Sequence, residues 1–177
     1  MLKQQQSGIT ALELMVIMAI VTILLSTGVP AIKNYSWNVR MRSARDMLQT
    51  DLNLARGRAI SHNIQTIVCP TVDNIVCSGD SRWHHGWIVF TDINGDRQKQ
   101  DGEPLLKQAA EVEHLNISSS LSRTELRFVS NGSAPGSNTS IRFCDRRGAH
   151  HASRIIVSNS GRIRVETNGI ESYEDCP

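Results

Sequence analysis

The sequence predicts an α+β fold, with one long N-terminal helix laid against antiparallel β-sheets. Three observations carry that expectation. No charged side chain lies between Glu13 and Lys33, and a helix over that interval, rising about 1.5 Å per residue, is long enough to cross the roughly 30 Å hydrocarbon core of a bilayer. From Ala31 to about His62 apolar residues recur at helical spacing. Beyond His62 the chain breaks into short β-branched runs separated by Gly, Asn, Ser and Pro.

The segment from Ser7 to Pro30 reads as a polar hinge, a single acid and then a membrane-length apolar run. A cleaved secretory signal carries an apolar region of about 7–15 residues behind a basic start. This run is longer and opens on an acid. A plain signal anchor has the right length but leaves Glu13 unexplained, because an acid in a span costs on the order of 2–3 kcal/mol unless it lies near the interface or finds a partner. Pro30, at the far end of the run, removes one backbone hydrogen bond and bends a helix that passes through it.

The second half of the helix is expected to turn one face to a sheet, with Ile32, Tyr35, Val39, Leu48, Leu52, Ala55 and Ala59 on it. Arg40, Arg42, Asp46, Asp51, Arg56 and Arg58 are expected elsewhere, and Arg42 and Asp46, four apart, are placed to pair on the surface. The helix ends near Ser61-His62-Asn63. Strands are then expected at Gln65–Cys69, at the continuous apolar run Gly86–Thr91, at the alternating Glu111–Ile117, and at Leu126–Phe128, Ser140–Cys144, Arg154–Val157 and Arg162–Val165. Ser130 to Asn138 is a turn-rich loop by composition, and Asn159-Ser160-Gly161 is the turn of a hairpin.

Composition bounds the function loosely. A chain of 177 residues with a net charge of +2 leaves one soluble domain beyond the span and says nothing through bulk charge about partners. Lys33, Arg40, Arg42 and Arg45 follow the span, so loop charge alone does not orient it. Four cysteines, Cys69, Cys77, Cys144 and Cys176, all lie beyond the span, and an even count there suits an oxidising compartment. Three connectivities exist. The favoured one is Cys69–Cys77, closing a short loop, with Cys144–Cys176 tying down a tail. Their spacings do not form the C-x₂₋₄-C pairs of a zinc site. The six histidines come as His84-His85, His150-His151 or singly. With no nucleophile elbow, Gly-rich phosphate loop or HExxH spacing, neither an enzyme nor a cofactor is expected.

Gly8-Ile9-Thr10-Ala11-Leu12-Glu13 resembles the type IV prepilin signature. The resemblance implies that residues 1–8 are a leader removed after Gly8 by a prepilin peptidase. Ile9 then becomes the N-terminus, at a position where the family usually has an N-methylated Phe. It also implies that residues 9–30 pack with those of other pilin subunits in a filament, and that Glu13 neutralises the α-amine of a neighbour. Gly86-Trp87-Ile88-Val89-Phe90-Thr91-Asp92-Ile93-Asn94-Gly95-Asp96, followed by Asp101-Gly102-Glu103-Pro104-Leu105-Leu106, resembles the hairpin of the FimT/GspH branch of minor pilins and pseudopilins. The implied architecture is the type IV pilin fold. Residues 31–63 continue the helix, and residues 64–177 form a β-rich domain in the periplasm. The protein would be single-pass in the inner membrane until it joins a pilus at the cell surface.

Two candidate sites follow. Asp92, Asn94, Asp96 and Glu103 stand at positions 1, 3, 5 and 12 of an EF-hand-like calcium loop. Arg97, however, occupies its sixth position, where glycine is needed, and a hairpin with Asn94-Gly95 as its turn explains the same residues. The stronger signal is Arg142, Arg146, Arg147, Arg154, Arg162 and Arg164. Alternation along a strand puts Arg162 and Arg164 on one face and Ile163 on the other, and a pair of planar guanidinium forks is suited to successive phosphates. Gly161-Arg162-Ile163-Arg164 resembles a segment of FimT-type pilins, a group linked to capture of double-stranded DNA in natural transformation. With no aromatic residue interleaved, binding is expected to be phosphate-led and salt-sensitive. The alternative reading is a purely structural minor pseudopilin of a type II secretion system, whose arginines contact neighbouring subunits or pair with Glu166 and Glu111.

Overall fold

The structure, a computed structural model, describes residues 10–120, 123–167 and 176. The leader with Gly8 and Ile9, and the tail from Ile170 apart from Cys176, lie outside the described residues. The chain divides into two compact units, one up to Val39 and one from Arg40 onward, and a single helix, α1 (Ala11–His62), passes through the boundary.

In the first unit α1 is long and apolar enough to cross a membrane, and its most apolar stretch buries nothing within the protein. It starts at a capping arrangement, in which Thr10 Oγ1 accepts the backbone N–H of Glu13 at 3.3 Å. Glu13 thus sits in the first turn, where a negative charge suits the helix dipole. The hydroxyls within the apolar run bond back to carbonyls of the preceding turn: Thr22 to Met18 at 2.7 Å, Ser26 to Ile23 at 2.8 Å and Thr27 to Ile23 at 3.2 Å. An otherwise apolar surface therefore carries them without unsatisfied donors.

In the second unit α1 buries Met41, Ala44, Leu48, Leu52, Ala55 and Ala59, a stripe at intervals of three and four. The buried face differs from the expected one. Ile32, Tyr35 and Val39 are exposed, because nine residues separate Val39 from Leu48, about half a turn out of phase at 3.6 residues per turn. Asp51 is also buried, at 2% exposure, instead of lying among the solvated charges. It accepts a hydrogen bond of 2.8 Å from the indole Nε1–H of Trp87. Asp46 pairs with its neighbour Arg45 at 2.9 Å rather than with Arg42. The helix closes on Asn63 in the left-handed region (φ 52), with Ile64 N–H donating to Ala59 O at 3.2 Å and Asn63 N–H to Ile60 O at 3.4 Å, a Schellman ending.

Among the described residues eight strands follow: β1 (Gln65–Pro70), β2 (Trp87–Asp92), β3 (Leu105–Ala109), β4 (Asn116–Ser119), β5 (Leu126–Phe128), β6 (Thr139–Cys144), β7 (Ser153–Val157) and β8 (Ile163–Thr167). They form two antiparallel sheets ordered β3-β2-β1-β5 and β4-β6-β7-β8. One core joins the helix stripe to both sheets through Val68, Trp87, Val89, Phe128, Ile141, Phe143, Ile155 and Val157. The opposite face of the first sheet buries Ile67, Cys69, Ile88 and Phe90 under Cys77. Being covered on both faces, β2 is a continuous apolar run rather than an alternating one. Glu111–Ile117 is not one strand: pairing begins only at Asn116, and β3 supplies the partner of β2.

The structure joins Cys69 to Cys77 and Cys144 to Cys176, the favoured pairing. The turn before β8 is locked into the domain. Arg56 Nε donates to Gly132 O at 2.9 Å, and that carbonyl lies where a Cβ on Gly161 (φ +76) would stand, at 1.9 Å. No side chain fits at Gly161.

Gly161→Ala should therefore lose on the order of 2–4 kcal/mol, from left-handed strain plus the clash. Gly79→Ala, with a similar φ of +71 but open space around its Cβ, should lose only about 1 kcal/mol of strain, and urea unfolding of both variants checks the difference. Burial pushes the Asp51 carboxyl above the usual aspartate range, against the Trp87 hydrogen bond and the charge of Lys107. A raised carboxyl pKa is a stability cost present at neutral pH and relieved as pH falls through the folded value toward the unfolded one. The Tm of Asp51→Asn should accordingly exceed that of the native chain at pH 7, and the gap should close on acidification to about pH 4.

Candidate nucleic-acid interface

Alternation along the second sheet sends Ile141, Phe143, Ile155 and Val157 into the core and places Arg142, Arg154 and Arg164 on the outward face. Register aligns them. Ser118 stands opposite Arg142, Arg142 opposite Arg154 and Arg154 opposite Glu166, while Ile156 stands opposite Arg164. Side chains directly opposite on adjacent strands lie about 4.5–5.5 Å apart at Cβ, so the face is an arginine lattice with one acid in it.

That acid is engaged. Glu166 Oε2 meets Arg154 Nη2 at 2.6 Å and Nε at 2.8 Å, which takes the charge of Arg154 out of the face. Arg147, expected on the same surface, turns instead to Asp145, which is 2% exposed. Its Nη2 reaches Asp145 Oδ2 at 2.7 Å, and its backbone N–H donates to Oδ1 at 2.9 Å. Burial works to raise the Asp145 carboxyl, but the hydrogen bonds and charge of Arg147 outweigh it and hold the group below the usual range. Arg147 is thus a structural counter-ion, since a buried charge has to be paired. Arg146, its neighbour, is exposed, as are His150 and His151 on the short 3₁₀ turn that follows.

Arg162 and Arg164 differ from these. Both are exposed, while Ile163 and Val165 between and beyond them pack on the core, and neither arginine has an ion pair among the described residues. The turn that aims them is fixed by Gly161 N–H to Ser158 O at 2.8 Å and Ser158 N–H to Arg162 O at 3.0 Å, besides the lock on Gly132. The sequence reading found the two arginines from alternation. It missed Asp145 as the partner of Arg147, although the acid lies only two residues away, because whether that turn closes depends on a fold that sequence spacing does not report.

The candidate ion loop is built differently from its expectation. Residues 93–104 form a long connection between β2 and β3 rather than a two-residue turn at Asn94-Gly95. Arg97 itself takes the left-handed conformation, φ 66. The side chains expected to hold an ion brace the loop's own backbone: Asp92 accepts from Gly95 N–H at 2.7 Å and Arg97 N–H at 3.1 Å, Asn94 from Asp96 N–H at 3.1 Å, and Glu103 from Ile93 N–H at 2.8 Å and Gln100 N–H at 3.0 Å. Among the described residues no group of three or more His, Cys, Asp or Glu is arranged to hold a metal ion.

The fold is shared with a minor pilin and a minor pseudopilin of solved structure. The type IV minor pilin FimU of Pseudomonas aeruginosa matches with a TM-score of 0.58 at 18% identity, over 75% of this chain and 92% of that one. The minor pseudopilin EpsH of the Vibrio cholerae type II secretion system matches with a TM-score of 0.54 at 12% identity, over 76% and 99%. At these identities the likeness shows the type IV pilin fold. No curated protein matches the chain. The family described as type II transport protein GspH matches residues 44–161, more than half of the chain and every described strand but β8, and the chain therefore belongs to the GspH family.

Proposed function

We propose that this chain is a minor type IV pilin that binds DNA without sequence preference through the edge of its second sheet, serving uptake in natural transformation. The observation that carries the reading is the exposure of Arg162, in the turn before β8, and of Arg164 on β8, neither with an ion pair among the described residues. Guanidinium forks held in this way bond phosphate oxygens bidentately. Arg142 and Arg146 add positive charge nearby. The absence of aromatic residues from this group makes the contact one of backbone rather than of base.

A second reading has its own support. Arg147 and Arg154 are neutralised by Asp145 and Glu166, and one fold neighbour belongs to a secretion machine. In that reading the chain is a structural pseudopilin, and the exposed arginines meet acids of adjacent subunits. Both readings share the anchor, with cleavage after Gly8, insertion in the inner membrane and assembly with other pilins through residues 9–30.

The full chain in non-ionic detergent should retard duplex DNA of any sequence. Arg162→Gln with Arg164→Gln should weaken that binding at least tenfold and flatten the dependence of log K on log salt by about 0.9 per lost phosphate contact. Absence of retardation at low salt and high protein concentration would remove the DNA reading in favour of the structural one. In cells, Glu13→Ala and Glu13→Gln should both insert and be trimmed, yet fail to enter filaments, because the α-amine of a neighbour then lacks its counter-charge. Co-purification with sheared filaments measures this, and normal incorporation of Glu13→Gln would show that charge is not what sets the register.

A further inference from the structure

We propose that a second phosphate-binding subsite lies in the cleft between the β2–β3 loop and β5, continuing the arginine edge of β8. The inference rests on the DNA reading above. The cleft, of about 380 Å³, is lined by Arg97, Arg123, Glu125, Arg127 and Gly136 among others. Three guanidiniums from two stretches of chain therefore share one concave surface with a single carboxylate. Burial pushes the Glu125 carboxyl above its usual range, against the pull of Arg97 and Arg127, and Arg97 approaches it only to 3.7 Å.

Arg123 and Arg127 are held at the rim without losing their charge. Arg123 Nη1 donates to Gly136 O at 2.7 Å and Arg127 Nη2 to Pro135 O at 3.3 Å. Each spends one of its five N–H donors on a neutral carbonyl. Neither forms an ion pair among the described residues, although the charge of Arg127 acts on Glu125. Such a bond pre-orients a long side chain, whose ordering would otherwise oppose binding.

The loop that accepts those bonds is also tied to the β8 turn. Ala134 N–H donates to Asn159 O at 2.9 Å and Asn138 N–H to Asn159 Oδ1 at 3.1 Å, while Gly132 abuts Gly161. The loop after β5 is thus clamped between Arg123 and Arg127 on one side and the turn leading into Arg162 on the other. Cationic groups flank a common ridge at both ends, an arrangement that fits a repeating chain of phosphodiesters better than one isolated anion. The lining is largely charged and polar, which suits phosphate and gives little purchase to an apolar ligand.

The test is the salt dependence of duplex binding by the full chain in non-ionic detergent. Arg123→Gln with Arg127→Gln should lower the slope of log K against log salt by about 1–2, at about 0.9 per phosphate. Arg123→Lys with Arg127→Lys, which keeps the charges but not the guanidinium forks on the carbonyls, should retain most of the native slope. A Gln variant with the native slope and affinity overturns the subsite while leaving the β8 face standing. A Lys variant that loses as much as the Gln variant overturns it too, assigning the arginines to bracing the loop. Polyglutamate that binds more tightly than duplex at equal salt, and loses its binding in the Gln variant, would make the cleft a receptor for acidic protein instead. Native chain that binds no duplex removes the DNA reading and this subsite together, an outcome distinct from the others.

Discussion

The stripe from Met41 to Ala59 is the constraint on which the domain depends. Three of its members, Ala44, Ala55 and Ala59, are small, and small residues let a sheet approach a helix closely enough for the larger Leu48 and Leu52 to be enclosed by residues of both sheets. Neither sheet buries its inner face without that helix. The same stretch of α1 supplies Arg56, whose bond to Gly132 ties the helix to the loop after β5 and, through the contact with Gly161, to the turn before β8. A packing solution in the core is in this way carried to the surface edge where the exposed arginines stand.

Charge on the second sheet is sorted by burial. Where an arginine lies beside a buried acid, as Arg147 does beside Asp145, the pair is consumed internally, because a desolvated carboxylate demands its counter-ion. Where the arginine lies on an exposed strand end with apolar neighbours pointing inward, as with Arg164 flanked by Ile163 and Val165, nothing in the described domain claims it. Counting arginines along the sequence therefore overstates the charge available on this face. It also understates the spread of charge over the molecule, since Arg97, Arg123 and Arg127 are thirty residues apart at their extremes and meet only through the fold.

Much of the fold was legible in the sequence, and the exceptions have physical reasons. The β-branched runs at β1, β2, β6 and β7 declared themselves because strands covered on one or both faces leave a strong apolar signature. Glu111–Ile117 misled because its alternation mimics a strand, whereas pairing requires a partner, and β6 is in register only from Asn116. Asp51 was placed with the solvated charges by its type. Its burial follows from the indole of Trp87, thirty-six residues away, which no local pattern reveals. Val39 was assigned to the stripe by counting intervals of three and four without accumulating their phase. On β8 the alternation rule sufficed, because an edge strand beside a turn has few competing demands.

The two disulfides differ in the ring they close, with separations of 8 and 32 residues. Two doublings of length add about 1.2 kcal/mol of closure entropy at about 0.6 kcal/mol each, so the smaller ring is favoured to oxidise while the chain is still loose. Of the two, the ring that closes on Cys176 thus carries the larger closure cost, and its other end, Cys144, stands next to Asp145 and the arginines that follow it.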